Sequence, residues 1–354
     1  MNLDNLNNLE NNQLSDNAET LRMQYEKHLP RIKDSILKIK KDNSLNDLSF
    51  TLHFNLNELH ISNCHSISFK HAFSKTCLTF QAEKCNIINL TGIDQNKQLV
   101  TLYLSNNLIH DLNPLKNLKS LELIQINSNK IRDITPLNQL TNLTQLYLNN
   151  NSIIDLHQIK DLRCLEILSI NHNKITSFYG IQKLNLRELY ADDNQITDLH
   201  GIQYQNNLKL LYLNSNQISD LSPLVKCHKL FYIQIRNNMI TRIAPLRKIQ
   251  TLQSLYAQNN FITDDASQLR FYNKVFSDQQ KPTQQQIWIS YKMRALYFSR
   301  ISAKKYQPLR TLISKLQIAT LQKVSLKVNG MVEQQLAMSK LLLLIFGNKE
   351  QASQ

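Results

Sequence analysis

The stretch Leu99-Val100-Thr101-Leu102-Tyr103-Leu104-Ser105-Asn106-Asn107-Leu108-Ile109-His110-Asp111-Leu112-Asn113-Pro114-Leu115 decides the fold, because the chain repeats it. Leu208-Lys209-Leu210-Leu211-Tyr212-Leu213-Asn214-Ser215-Asn216-Gln217-Ile218-Ser219-Asp220-Leu221-Ser222-Pro223-Leu224 is a second copy in the same register. The Asn that closes each phrase recurs at Asn107, Asn129, Asn151, Asn173, Asn194, Asn216, Asn238 and Asn260, with separations of 22, 22, 22, 21, 22, 22 and 22 residues. A fixed period of this size is the signature of units that stack side by side.

Each unit explains why stacking is required. Leu-x-Leu places two side chains on one face of an extended segment, since strand side chains alternate. Ile109, Leu112 and Leu115 then point inward after the chain turns. One unit cannot bury this wedge alone, so neighbours pack on it and their strands form a parallel sheet. The Asn stands where the chain leaves the strand. Its amide can satisfy buried backbone groups of adjacent turns, each costing about 1–3 kcal/mol if left unpaired, so the Asn column reads as structural. Pro114, Pro136, Pro223 and Pro245 lie seven residues after their Asn, and Gly180 and Gly201 take that place in two other repeats. A fixed φ suits a tight return path there. Twenty-two residues leave little room for a full outer helix, so short 3₁₀ turns are expected.

Counting back from Asn107 by the same step gives Cys85, Cys64 and Asp42, which places about eleven repeats between residues 31 and 265. The phrase resembles the leucine-rich repeat in its short 22-residue form, as in bacterial internalins and in the leucine-rich regulatory subunit of type-1 protein phosphatase. The resemblance implies an α/β fold: a right-handed solenoid with a parallel concave sheet. Cys is an accepted substitute for the Asn in that family, so Cys64 and Cys85 read as buried repeat residues. Resemblance to the phosphatase subunit further implies a phosphatase-binding concave face. Those proteins tend to end in a cap with a Tyr-Arg pair, and the exit here, from Asn260 to Tyr272, departs from it.

Composition bounds the remaining readings. The five cysteines lack the clustering of disulfide caps, and no basic region followed by an apolar run opens the chain. The one long apolar run, Leu341 to Phe346, is far short of the roughly 20 residues that span a bilayer. These features point to a cytoplasmic protein, with the nucleus left open. His60, Cys64, His65, His71, Cys77 and Cys85 invite a metal reading, but no tight Cys-x₂₋₄-Cys pair is present, so no metal site is assigned. No phosphate loop, nucleophile elbow or zinc motif appears, so neither a reaction nor a cofactor is expected.

If the residues five and three before each Asn are core, those six, four and two before it face the open concave side. The column at minus four reads Lys38, His60, Gln81, Tyr103, Gln125, Tyr147, Ser169, Tyr190, Tyr212, Gln234 and Tyr256. Tyr232 joins at minus six, and the column at minus two adds Asn127, Asn149, Asn171, Asp192, Asn214, Arg236 and Gln258. Tyr and Arg dominate interface hot spots, because a ring buries much area with few rotors. The expected partner site is therefore Tyr103, Gln125, Tyr147, Tyr190, Asp192, Tyr212, Tyr232, Arg236 and Tyr256, binding a protein.

The two ends read differently. Residues 1–30 open on a polar stretch followed by a short helix, Thr20 to Leu29, that could cover the first strand. Residues 266–354 carry 14 Lys or Arg against 3 acids. Three amphipathic helices are expected there, opening near Pro282 and Pro308, with Met331 to Phe346 as the third. Lys292, Arg294, Arg300, Lys304, Lys305 and Arg310 make the first half a candidate for an acidic protein or an anionic membrane surface. Nucleic acid is the least favoured partner, because no recognised nucleic-acid motif accompanies the charge. The alternative to concave-face binding is that this basic tail binds and the solenoid acts as a spacer.

Overall fold

The computed structural model describes residues 23–263, apart from 25, 46, 47, 66 and 70–72. The polar N-terminal stretch and the three C-terminal helices expected from the sequence lie outside the described residues, as does His71.

Twelve strands form one open sheet in sequence order: β1 (Ile32–Lys33), β2 (Ile36–Lys40), β3 (Glu58–Ser62), β4 (Thr79–Glu83), β5 (Thr101–Tyr103), β6 (Leu123–Gln125), β7 (Gln145–Tyr147), β8 (Ile167–Ser169), β9 (Glu188–Tyr190), β10 (Leu210–Tyr212), β11 (Tyr232–Gln234) and β12 (Ser254–Tyr256). β2 to β12 are parallel and pair without slippage, so that Lys38, His60, Gln81, Tyr103, Gln125, Tyr147, Ser169, Tyr190, Tyr212, Gln234 and Tyr256 form one row across the sheet. The return path carries 3₁₀ turns, among them Asn113–Leu115, Thr135–Gln139, Ser222–Lys226 and Ala244–Lys248. Between sheet and turns lies one continuous core: Leu102, Leu104, Ile109, Leu112 and Leu115 are buried in the first regular repeat, and their equivalents are buried in those that follow. In the irregular early repeats aromatic bulk replaces Leu, with Phe69, Phe73 and Phe80 in ring contact at 4.6–6.4 Å.

The Asn column is structural. Asn151 Nδ2 donates to the carbonyls of Ile126, Leu148 and Asn149, and its Oδ1 accepts from Ile131 N–H at 3.0 Å. The same set recurs around Asn173, Asn216, Asn238 and Asn260, whose Oδ1 atoms accept from Ile153, Ile196, Ile218 and Ile240 N–H at 3.0 Å. What aims each Asn inward is the residue before it. Asn106, Ser128, Asn150, His172, Asp193, Ser215, Asn237 and Asn259 all sit at φ of 53–60°. A single left-handed residue turns the strand sharply, and short polar side chains tolerate it best.

One expectation needs correction. The sheet begins with a strand beside β2, whereas the sequence suggests that the short N-terminal helix covers that edge. β1 pairs antiparallel with β2, through a tight turn at Asp34 and Ser35 with φ of 52° and 62°. A two-residue hairpin with both φ positive matches the strand twist, and Asp-Ser without Gly conceals it in the sequence. The chain before it is helical at 23–24 and 26–28, within the expected Thr20–Leu29 helix, and brings the buried His28 to 5.3 Å from the Phe50 ring. The glycines at the Pro position do not imitate proline. Gly180 and Gly201 have φ of 112° and 107°, and a Cβ on Gly201 would stand 2.5 Å from the Phe178 carbonyl oxygen. Pro and Gly solve the same turn with opposite backbone twist.

Candidate functional site

The exposed face of the sheet is built by alternation: along each short strand the middle residue is buried and its two neighbours are half-buried on the other side. Residues two apart therefore meet. The Tyr147 hydroxyl donates to Gln145 Oε1 at 3.1 Å, the Tyr190 hydroxyl to Glu188 Oε2 at 2.6 Å, and Gln234 Nε2 to the Tyr232 hydroxyl.

Four of the nine residues expected at the site form a continuous aromatic run. Tyr190 stacks on Tyr212 with centroids 4.8 Å apart, Tyr212 meets Tyr232 at 5.3 Å, and Tyr232 meets Tyr256 at 5.4 Å. The run crosses β9 to β12, and it is unbroken because Tyr232 at minus six fills the gap left by Gln234 at minus four. Arg236 lies with Cζ 4.9 Å from the Tyr256 ring centre, a cation–π contact, and its Nε donates to Gln258 Oε1 at 2.9 Å. The expected residues on the earlier strands are not drawn into this run. Gln125 stands between Tyr103 and Tyr147 in the row, with its Nε2 donating to Ser105 Oγ at 3.2 Å, and Ser169 stands between Tyr147 and Tyr190.

The minus-two column forms a second polar ladder across the repeats. Asn127 Oδ1 accepts from Asn149 N–H, Asn149 Oδ1 from Asn171 N–H, and Asn171 Oδ1 from Asp192 N–H, each at 2.8 Å. Asp192 Oδ1 accepts from Asn214 N–H at 2.6 Å, and Asn214 Oδ1 from Arg236 N–H at 2.9 Å. The strands end at the minus-four residue, so the next inward-facing N–H needs an acceptor, and the preceding repeat's side chain supplies it. Asp192 Oδ2 also accepts from Asn214 Nδ2 at 3.1 Å, so both its oxygens are committed, and burial raises its carboxyl pKa, opposed by the hydrogen bonds from Asn214. Sequence reasoning missed Glu188. The cue was available, since Glu188 lies two residues before Tyr190 on the same face.

The chemistry of the face is that of neutral rings and amides. Burial, then the hydrogen bond to Glu188, pushes the Tyr190 phenol well above its ordinary value, and burial beside Tyr232 takes Tyr212 to about 12. Both stay protonated and present an O–H at any physiological pH. Elsewhere, burial lifts the Cys77 and Cys227 thiols to about 12 and Cys85 to about 11, the reverse of an activated nucleophile. Cys64 and Cys85 occupy the Asn column and direct their Sγ to the carbonyls of Ser62 and Glu83, and all five cysteines are free. Among the described residues, no group of three His, Cys, Asp or Glu is placed to hold a metal ion, and no helix is long and apolar enough to cross a membrane.

The family model for leucine-rich repeats in two copies matches residues 97–139, 141–183 and 184–226. Among curated proteins none matches the sequence. Solved structures do. An internalin from Listeria monocytogenes is 24% identical with a TM-score of 0.51, covering 63% of this chain and 74% of that one. A leucine-rich repeat protein of Leptospira interrogans is 22% identical with a TM-score of 0.56, covering 62% and 60%. The functional domain of a second Listeria monocytogenes internalin, which includes a cysteine ladder, is 24% identical with a TM-score of 0.54, covering 65% and 50%. This chain therefore spans three quarters of the first relative and half to three fifths of the others, and at these identities the likeness is one of fold. Proteins of this kind generally act as non-enzymatic scaffolds for protein–protein interaction. Repeat period, Asn ladder, parallel sheet, family match and structural neighbours agree that the described residues form a leucine-rich repeat solenoid, with matches to the family model within residues 97–226.

Proposed function

We propose that this chain is a non-enzymatic scaffold that captures a protein partner on the concave face of its sheet, centred on Tyr190, Tyr212, Tyr232, Tyr256 and Arg236. The observation that carries the reading is the unbroken contact of four rings across four adjacent strands. The ring edges and hydroxyls form a half-buried strip with little side-chain freedom left to lose, which is what makes tyrosine effective at the centre of an interface. Arg236 is already oriented over Tyr256, so it meets a partner with its guanidinium plane fixed. Tyr103, Gln125 and Tyr147 extend the surface toward the N-terminal repeats, where they add area rather than a packed centre.

The experiment compares affinity capture by the full chain with capture by the variant carrying Tyr190→Ala, Tyr212→Ala and Tyr256→Ala. Partner retention is expected to fall by at least tenfold while the circular-dichroism melt is preserved, since all three rings lie on the solvent side of the sheet. Undiminished capture by a folded triple variant refutes the reading. Capture lost only when residues 266–354 are removed would assign binding to the basic tail instead.

A further inference from the structure

A second side of the solenoid is sorted by charge. The segments that run from each turn back into the next strand (113–121, 135–143, 157–165, 181–186, 202–208, 222–230 and 244–252) hold nine Lys or Arg and one acid, Asp161. The segments that leave the strands (108–112, 130–134, 152–156, 174–179, 195–199, 217–221 and 239–243) hold four basic and five acidic residues. Charges that serve solubility alone are interspersed in sign; here the sign follows the position in the repeat. Lys116, Lys160, Arg163, Lys183, Lys226 and Lys248 are all exposed, and none of them enters the ion pairs found among the described residues. Two further cations are tied down across repeats. Lys119 Nζ donates to the Gln139 carbonyl at 2.9 Å and to Gln139 Oε1 at 3.0 Å, and Lys229 Nζ donates to Asn207 Oδ1 at 2.6 Å.

We propose that this row is a second docking surface, independent of the sheet face, which takes an extended acidic segment of a protein partner. The spacing of the cations selects that occupant. They come in islands, at 116–119, at 160–163 with 183, and at 226–229 with 247–248, and the turns at 135–143 and 202–208 between them carry no charge. The amides in those uncharged turns are largely bound to the protein itself, Asn138 to Asp161, Asn142 to the Lys119 carbonyl and Asn207 to Asn185 and Lys229. An acidic polypeptide fits that spacing, since its carboxylates can meet the islands while uncharged residues pass the gaps. A nucleic acid brings phosphates at every step and needs continuous charge. From Lys116 to Lys248 the row crosses six repeat spacings, about 30 Å at ~4.8 Å each, which matches roughly nine extended residues.

The test uses the full chain and a fluorescent peptide of about ten glutamates, a length that spans the row, with binding read by anisotropy. The variant K160Q/R163Q/K226Q/K248Q is expected to bind the peptide roughly tenfold more weakly, from four exposed charge contacts. Its salt dependence is expected to be shallower and its urea midpoint unchanged. The tyrosine triple variant is expected to bind the peptide as the unaltered chain does, which separates this surface from the sheet face. Unchanged peptide affinity in the quadruple variant overturns the proposal, because it places binding elsewhere, such as on the basic residues beyond 266. A larger loss for a DNA duplex, or for phosphatidylserine vesicles, than for the peptide also overturns it.

Discussion

Removing one amide from the buried Asn column tests the principle that holds the stack together. Asn173 donates through Nδ2 to the carbonyls of Leu148, Ile170 and Asn171 at 3.0, 3.1 and 3.2 Å, and accepts from Ile153 N–H at 3.0 Å. The four losses in Asn173→Ala are unequal. The Leu148 carbonyl keeps Asn151 Nδ2, the Ile170 carbonyl keeps Asn194 Nδ2, and the Asn171 carbonyl keeps the Asn150 N–H. Ile153 N–H has no second acceptor among the described residues. Its orphaning costs about 1–3 kcal/mol, and three shared bonds add roughly 0.5 kcal/mol each, so the expected loss is about 3 kcal/mol. Urea unfolding followed by circular dichroism measures it, with the exposed Gln195→Ala as a control expected within about 0.5 kcal/mol of the unaltered chain. Asn173→Asp keeps the acceptor but sets a carboxylate against three carbonyls, so it should regain stability as the pH falls. A cost for Asn173→Ala no larger than that of the control would refute the structural account of the column.

Two further perturbations follow from the backbone and from the N-terminal cap. Gly201→Ala is expected to cost about 2–4 kcal/mol in thermal unfolding, from left-handed strain plus the close approach of its Cβ to the Phe178 carbonyl, and Gly201→Pro should cost at least as much although proline holds that place in other repeats. Acidification should weaken the N-terminal cap in two steps. Burial, with help from Arg31, lowers His28 from 6.5 to about 4. Burial alone would raise Asp42, but hydrogen bonds from Lys27 and Ser44 hold it at about 2 against an ordinary 3.8. Both folded-state values lie below the unfolded ones, so both contributions are present at neutral pH and are lost on acidification. The His28 part goes between about 6.5 and 4 and is at most about 3 kcal/mol; the Asp42 part goes between 3.8 and about 2. In His28→Gln the first of these losses should vanish from the pH profile of the urea midpoint, and its persistence would contradict the assignment.

The sequence by itself determined the repeat, the buried role of the Asn column and which strand positions face solvent. Each of these follows from a period that local alternation and burial must obey, so the Leu, Ile and Asn positions could be read one by one. Only the tertiary structure decided which exposed residues act together. Asp192 and Arg236 are legible as solvent-facing positions, but that the neighbouring repeats join them into a ladder is not, because strands that end early leave N–H groups that only a neighbouring repeat can satisfy. Tyr232 sits in a different column from Tyr190, Tyr212 and Tyr256, and only the diagonal contact between adjacent strands makes the four into one strip. The β1 hairpin escaped notice because Asp34-Ser35 adopts a twist that glycine usually announces, and the position of Gly201 in the repeat does not reveal that its φ is positive where proline's is negative. Composition at one position says which side chain is present; which neighbour satisfies or stacks on it depends on residues about 22 positions away, brought beside it by the stack.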